Sequence, residues 1–285
     1  MSRMLTLQLE RFGRLSPEEK LALGGITLRP RRLSARADFS CEASVDSTPV
    51  LLTGIACRYV LLPNGRRQIL AYLLPGELCD RQTGDRMFTD HCVGTLSSAK
   101  VGTFFRDDIA RLSRAFPQIA RAFELSRAVE QATLRQWLLG VGHRQALERT
   151  AHLLCELFTR LRALGLVQGR TCELGLRQSD LADALGLSAV HLNRTLTEMR
   201  RRRIVTFVRH QLVIFNWRAL RTLCGFRSDY LFAGAPPALE QVQDESEGEE
   251  GNAGRPLREP GRGALPEQEP LFKDSGVPLL SWPAD

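Results

Sequence analysis

Apolar and polar positions change rhythm twice along this chain. From residue 15 to about residue 105, one short helical stretch gives way to short apolar runs separated by turns; from about 107 to 162 the period is helical. Ser16-Pro17-Glu18-Glu19 offers an N-cap, a proline at the first helical position and acidic residues in the first turn, just before Leu21 and Leu23. The clearest strands are 57–62 and 67–73, with Pro63-Asn64-Gly65-Arg66 between them, and Asn-Gly between two apolar runs predicts a hairpin. Pro75-Gly76 forces a further turn. Many short strands of this kind predict a small barrel or sandwich.

Pro117 opens the longest helical pattern. Ala122, Leu125, Val129, Ala132 and Leu139 form one apolar stripe and Phe116, Ile119, Phe123 and Trp137 a second. One stripe would pack on the barrel and the other on a partner helix; the plainer alternative is one fully buried helix in a monomer. Gly140 and Gly142 are expected to end it. A second amphipathic helix follows from about Arg144 to Leu164, with Leu147, Ala151, Leu154, Leu157, Phe158 and Leu161 inward.

The most specific pattern spans 177–205. Leu181, Ala182, Ala184 and Leu185 form the inner face of a short helix, Gly186 supplies a positive φ to end it, and Leu187 plugs the corner. Ser188 is the N-cap of a second helix that buries Leu192, Leu196 and Met199 and turns Ala189, Val190, His191, Asn193, Arg194 and Thr197 outward. Four arginines, 200–203, follow, and then 204–207 and 212–215 flank the polar turn Arg209-His210-Gln211 as a wing. Helix, turn, helix, basic run and hairpin in this order predict a DNA reader, against the plainer alternative of an αα-hairpin with a solvated basic face.

Charge sharpens that picture. The formal net charge is +7, but residues 234–285 carry 11 acidic and 4 basic residues, a net −7, which leaves +14 on residues 1–233. A basic body fits an anionic partner such as double-stranded DNA. The tail, with Pro236-Pro237 and the acidic cluster from Asp244 to Glu250, lacks the apolar content to offset ordering and is expected to be disordered. No apolar run reaches membrane-spanning length and no secretory signal is legible, so a cytoplasmic protein without membrane contact is expected. Seven scattered cysteines with no C-x-x-C pair suit neither disulfides nor a metal centre. No nucleophile, base and orienting group are legible together, so no enzyme is expected.

From about residue 15 to 230 the chain resembles the Crp/Fnr family of bacterial transcription regulators. The resemblance rests on the hairpin at Pro63-Asn64-Gly65, the turn Leu74-Pro75-Gly76-Glu77, the long connector helix, and Asp180-Leu181-Ala182, Gly186-Leu187-Ser188 and Asn193-Arg194. It implies an α+β chain: a cyclic-nucleotide-binding-like β jelly roll over 15–106, dimerisation and connector helices over 107–140, and a winged helix-turn-helix over 141–230, before the tail at 234–285. It implies a homodimer on palindromic operators, with half-sites about one helical turn apart. Arg194 matches the family's base-reading arginine, with Ala189, Val190 and Asn193 beside it. Arg177, Gln178, Ser179, Ser188, His191, Arg200 and Arg201 are the candidates for the DNA backbone.

The chain also departs from the family. Ala189 and Val190 stand where well-known members carry an arginine and a glutamate, so only apolar contact, as with a thymine methyl, is offered there. Arg177 replaces a common capping threonine, and Ser179 is expected to cap a slightly shorter helix. In the sensory half, Asp90-His91-Cys92 occupies the place of the Arg-Ser-Ala that holds a cyclic phosphate, and a carboxylate there repels one. Cyclic AMP is therefore not expected, nor is an iron–sulfur cluster, since no cysteine precedes Cys41; no cofactor is assigned and the effector is left unknown. His91 as a haem ligand is outweighed by a structural histidine. The rival readings are a constitutive DNA binder whose barrel scaffolds the dimer, and a thiol sensor through Cys79 and Cys92. An Arg-rich surface is also a candidate contact for RNA polymerase, though no residue singles out a patch.

Overall fold

A computed structural model of the chain describes residues 3–26, 28–39, 47–79 and 91–232. The acidic tail and the stretch 80–90, with Asp90, lie outside the described residues. Two helices come first. In α2 (Pro17–Gly24) the Ser16 hydroxyl accepts from Glu19 N at 3.2 Å and the Glu19 carboxylate accepts from Ser16 N at 2.7 Å, the expected cap. Ahead of it lies α1 (Arg3–Glu10), which the sequence reading did not anticipate; Leu5, Leu9 and Phe12 recur at helical spacing and are buried.

The β-half consists of two three-stranded antiparallel sheets. One has the order β1 (Arg29–Leu33), β6 (Ala99–Phe105), β2 (Ser47–Thr53); the other has β4 (Arg67–Leu73), β3 (Ala56–Leu61), β5 (Cys92–Thr95). Bridges Asp38–Gly94 and Val50–Leu78 stitch them together, and Leu51, Ala56, Leu73, Val93 and Val101 pack between them as the jelly-roll core. The β3–β4 hairpin closes as expected: Asn64 Oδ1 accepts from Arg66 N at 3.0 Å and Gly65 takes φ +76°. Gly76 is needed for a different reason. Its φ is +90°, and a Cβ there would stand 2.1 Å from the Met4 carbonyl oxygen, so α1 lies directly on this turn.

Two helices lead away from the barrel, α3 (Arg106–Ala115) and α4 (Pro117–His143). Contrary to expectation, α4 runs through Gly140 and Gly142 to His143; helix interiors tolerate glycine at about 1 kcal/mol each, which neighbouring turns offset. Ile119, Ala122 and Phe123 pack against α1 and the β1–β6–β2 sheet, while Leu134, Leu138, Leu139 and Val141 face solvent.

The remaining elements are α5 (Ala146–Ala163), β7 (Thr171–Glu173), α6 (Gln178–Leu185), α7 (Ala189–Arg201), β8 (Val205–Val208), β9 (Gln211–Ile214), α8 (Trp217–Cys224) and a 3₁₀ turn at Asp229–Leu231. Strand β7 adds to the wing as β7–β9–β8. Helix α5 is not amphipathic as expected but buried on every side from Thr150 to Leu161, because α6, α7 and α8 surround it and its polar residues find partners inside. Strand residues Tyr59, Ile69 and Tyr72 share one apolar core with α5 to α8, so barrel and helix-turn-helix meet directly.

Candidate nucleic-acid interface

The pair α6–α7 is held by local chemistry. Gly186 takes φ +61° and its N–H closes on Ala182 O, ending α6. The Ser188 hydroxyl oxygen then accepts from His191 N at 3.2 Å, starting α7 and leaving its proton to donate elsewhere. At the start of α6 the expectation fails. The helix begins at Gln178, and the Asp180 carboxylate, not Ser179, closes the first turn by accepting from Arg177 N at 2.7 Å. An aspartate at the third helical position reaches back over one turn, and Ser179 already lies inside the helix.

Leu192, Leu196 and Met199 are buried, and Ala189, Val190, His191, Asn193, Arg194 and Thr197 are exposed, as the spacing predicts. Val190, two thirds exposed, stands out among them as an apolar group in water. Gln178 and Ser179 sit across the turn from this face, and Asn193 Nδ2 donates to Gln178 Oε1 at 3.4 Å. The wing turns on Arg209 and His210, both at positive φ, and the His210 Nδ1–H donates to Leu176 O at 2.6 Å, fixing the hairpin beside α6.

The basic run is less uniform than it looks in sequence. Arg201 donates to both Glu198 oxygens at 2.8 Å and Arg202 donates to one at 2.6 Å. These hydrogen bonds hold the Glu198 carboxyl down to about 2. Arg194 and Arg200 are exposed on the same helix.

Behind this face lies a buried ionic network. Arg160 Nη2 donates to Tyr72 O at 2.9 Å and to both Glu77 oxygens at 2.9 and 3.0 Å; its Nη1 donates to Glu156 at 3.2 Å. Glu156 also accepts from Trp137 Nε1 at 3.1 Å and Tyr230 OH at 3.0 Å. Burial opposes charge on both carboxylates. Arg160 and Arg11 outweigh it at Glu77, which sits below the ordinary range, whereas burial prevails at Glu156, which sits above it.

His152, packed against Phe226 and Tyr230, is lowered by burial to about 4. Below pH 6.5 the unfolded chain therefore gains a proton that the folded chain refuses, and stability falls as pH drops toward 4. Urea unfolding should show a loss of roughly 2 kcal/mol between pH 7 and pH 5 from this group, and His152→Phe should remove it. An unchanged slope in the variant would clear His152 of the effect.

A cavity of about 350 Å³ opens between α1, the strands β3 and β4, and α4. Leu9, Leu73 and Phe123 line it with Arg58, His91 and Thr133. Of the two cysteines considered as a thiol sensor, Cys79 is buried in the jelly-roll core and Cys92 lies in β5 opposite Tyr59. Cys155 on α5 and Cys224 on α8 lie in the apolar core of the head, and Cys224 Sγ donates to Leu220 O at 3.3 Å.

Residues 148–223 match the Crp-like helix-turn-helix domain. The transcriptional activatory protein AadR of Rhodopseudomonas palustris is 31% identical over 197 residues, covering 69% of this chain and 81% of AadR. The chain belongs to the Crp/Fnr family. It is a DNA-binding transcription regulator by that membership, not an enzyme. The nitrogen fixation regulation protein FixK of Bradyrhizobium diazoefficiens is 30% identical over 176 residues, covering 61% of this chain and 73% of FixK. The solved structure of FixK2 from Bradyrhizobium japonicum shares the fold, with a TM-score of 0.60 and 24% identity over 70% of this chain and 98% of FixK2. Within this regulator's described residues no helix is long and apolar enough to cross a membrane.

Two groups escaped the sequence reading of the regulator. Arg160 and Glu156, four apart on α5, carried a signal of sorts: opposite charges one turn apart in an otherwise apolar stretch. Arg67, which reaches Asp180 and Asp183 on α6, carried none, since more than a hundred residues separate the partners.

Proposed function

We propose that the regulator acts in the cytoplasm as a homodimer on palindromic operators, each copy setting α7 in the major groove of one half-site. One observation carries this reading: α7 leaves a continuous face of Ala189, Val190, His191, Asn193 and Arg194 bare, and its inner residues are locked in the core. Arg194 takes guanine O6 and N7 through its fork, Val190 and Ala189 meet thymine methyls, and Asn193 reads beside them. Arg177, Gln178, Ser179, Ser188, His191 and Arg200 take phosphates; Arg201 joins them by leaving Glu198. The uncovered apolar face of α4, Leu134, Leu138, Leu139 and Val141, supports pairing with a second copy.

Control comes from a signal in the cavity beside α4, whose size suits a small molecule. Asp90 argues against a cyclic nucleotide. The test is selection of bound duplexes from a random library with purified, reduced protein at moderate salt. One palindromic consensus is the expected result. An asymmetric consensus would overturn the dimeric reading, and no consensus with or without cell extract would overturn sequence reading itself.

A further inference from the structure

One strand of the barrel holds the reading head. Arg67, the first residue of β4, spans two carboxylates one turn apart on α6: its Nη2 donates to Asp180 Oδ1 at 2.7 Å and its Nε to Asp183 Oδ2 at 2.9 Å. The Asp180 side chain is fully buried, and Arg36 is a second basic neighbour at 3.7 Å. Two further β4 residues grip the same helix through its backbone. Tyr72 OH donates to Asp180 O at 2.9 Å, and Gln68 Nε2 donates to Ala184 O at 3.4 Å. These four contacts engage α6 at both ends and fix its rotation about its own axis. Asp180 is also the group that closes the first turn of α6, next to Gln178 and Ser179. Leu70, Ala71, Tyr72 and Leu73 of the same strand line the cavity.

We propose that Arg67 is a positioning residue: by clamping α6 through Asp180 and Asp183, it fixes the angle at which each copy presents α7 and so the half-site spacing the dimer accepts. The inference rests on the dimeric reading above. Shifting one half-site by a single base pair moves it by about 3.4 Å and turns it by about 34° around the duplex. A head clamped to its barrel cannot follow such a shift, whereas a head on a slack joint can. A bidentate arginine between two carboxylates is the kind of contact that supplies this stiffness, because its planar fork fixes direction as well as distance. β4 touches both cavity and head, so a ligand that moved the strand would change spacing rather than base preference.

The test uses the full-length chain and a duplex library in which two copies of the half-site selected by the native protein are separated by a randomised gap. The native protein should favour one gap over its neighbours by about tenfold. Arg67→Met should bring the neighbouring gaps to within about twofold while leaving the half-site bases unchanged. Asp183→Asn, which spares the buried Asp180, should move the same way by less and covers the case that Arg67→Met does not fold. Equal loss of affinity at every gap, or an unchanged preference in both variants, would overturn the inference and leave the dimeric reading standing. Native protein that takes single half-sites at any gap would overturn both.

Discussion

Arg194→Ala should weaken binding to the selected operator by about 1–3 kcal/mol and leave binding to random duplex almost unchanged. Arg194 is exposed in the second turn of α7, on the face that carries Val190 and Asn193, and among the described residues no ion pair claims it. Its side chain is thus available to a base edge, in contrast to Arg201, which Glu198 already holds. A phosphate contact would behave differently, since losing one lowers affinity for every sequence and reduces the salt slope by about 1. Competition between operator and random duplex at two salt concentrations separates the two roles. Arg194→Lys is the stricter comparison: it keeps the charge and loses the fork, so it should retain random binding and lose most of the discrimination. Equal losses on both duplexes would move Arg194 from base reading to the backbone.

The reading face was legible because each of its determinants acts within a few residues. Gly186 at positive φ, Ser188 accepting from His191, and the three-four spacing of Leu192, Leu196 and Met199 are all local, and the structure repeats them. The β3–β4 hairpin was legible for the same reason. Ser179 shows where local reasoning misleads, since a good capping residue lost to an aspartate one position later. The errors grow with distance. Helix α1 is too short to stand alone and is stabilised by Gly76 and Gln8, some seventy residues from each other, with Gln8 donating to Pro75 O at 3.2 Å. The spacing of Leu147, Ala151, Leu154, Leu157, Phe158 and Leu161 predicts a one-sided helix, and Thr150, His152, Glu156 and Arg160 are polar positions between them. They are buried because Thr150 bonds Ala146 O, His152 stacks on Tyr230, and the charged pair meets Glu77. Nothing in a stretch of α5 announces a glutamate on a turn of the barrel.

That same network carries the largest expected loss of stability. Arg160→Met should cost about 3–5 kcal/mol, because it leaves the fully buried Glu156 and the half-buried Glu77 without the cation they share. Glu77 keeps Arg11 at 3.9 Å, but among the described residues Glu156 keeps neutral donors, Trp137 and Tyr230. Burial already raises the Glu156 carboxyl, and removing Arg160 raises it further. The folded variant then binds a proton more readily than the folded native protein, so its deficit should shrink as pH falls from 8 toward 5. Urea unfolding followed by circular dichroism measures this directly, and the His152 contribution cancels because both proteins share it. Adding Glu156→Gln to Arg160→Met should recover part of the loss at pH 8, since a neutral amide needs no counterion. A deficit that neither acid nor the second substitution relieves would assign the loss to the packing of the arginine stem, and the charges would then have no part in joining barrel to head.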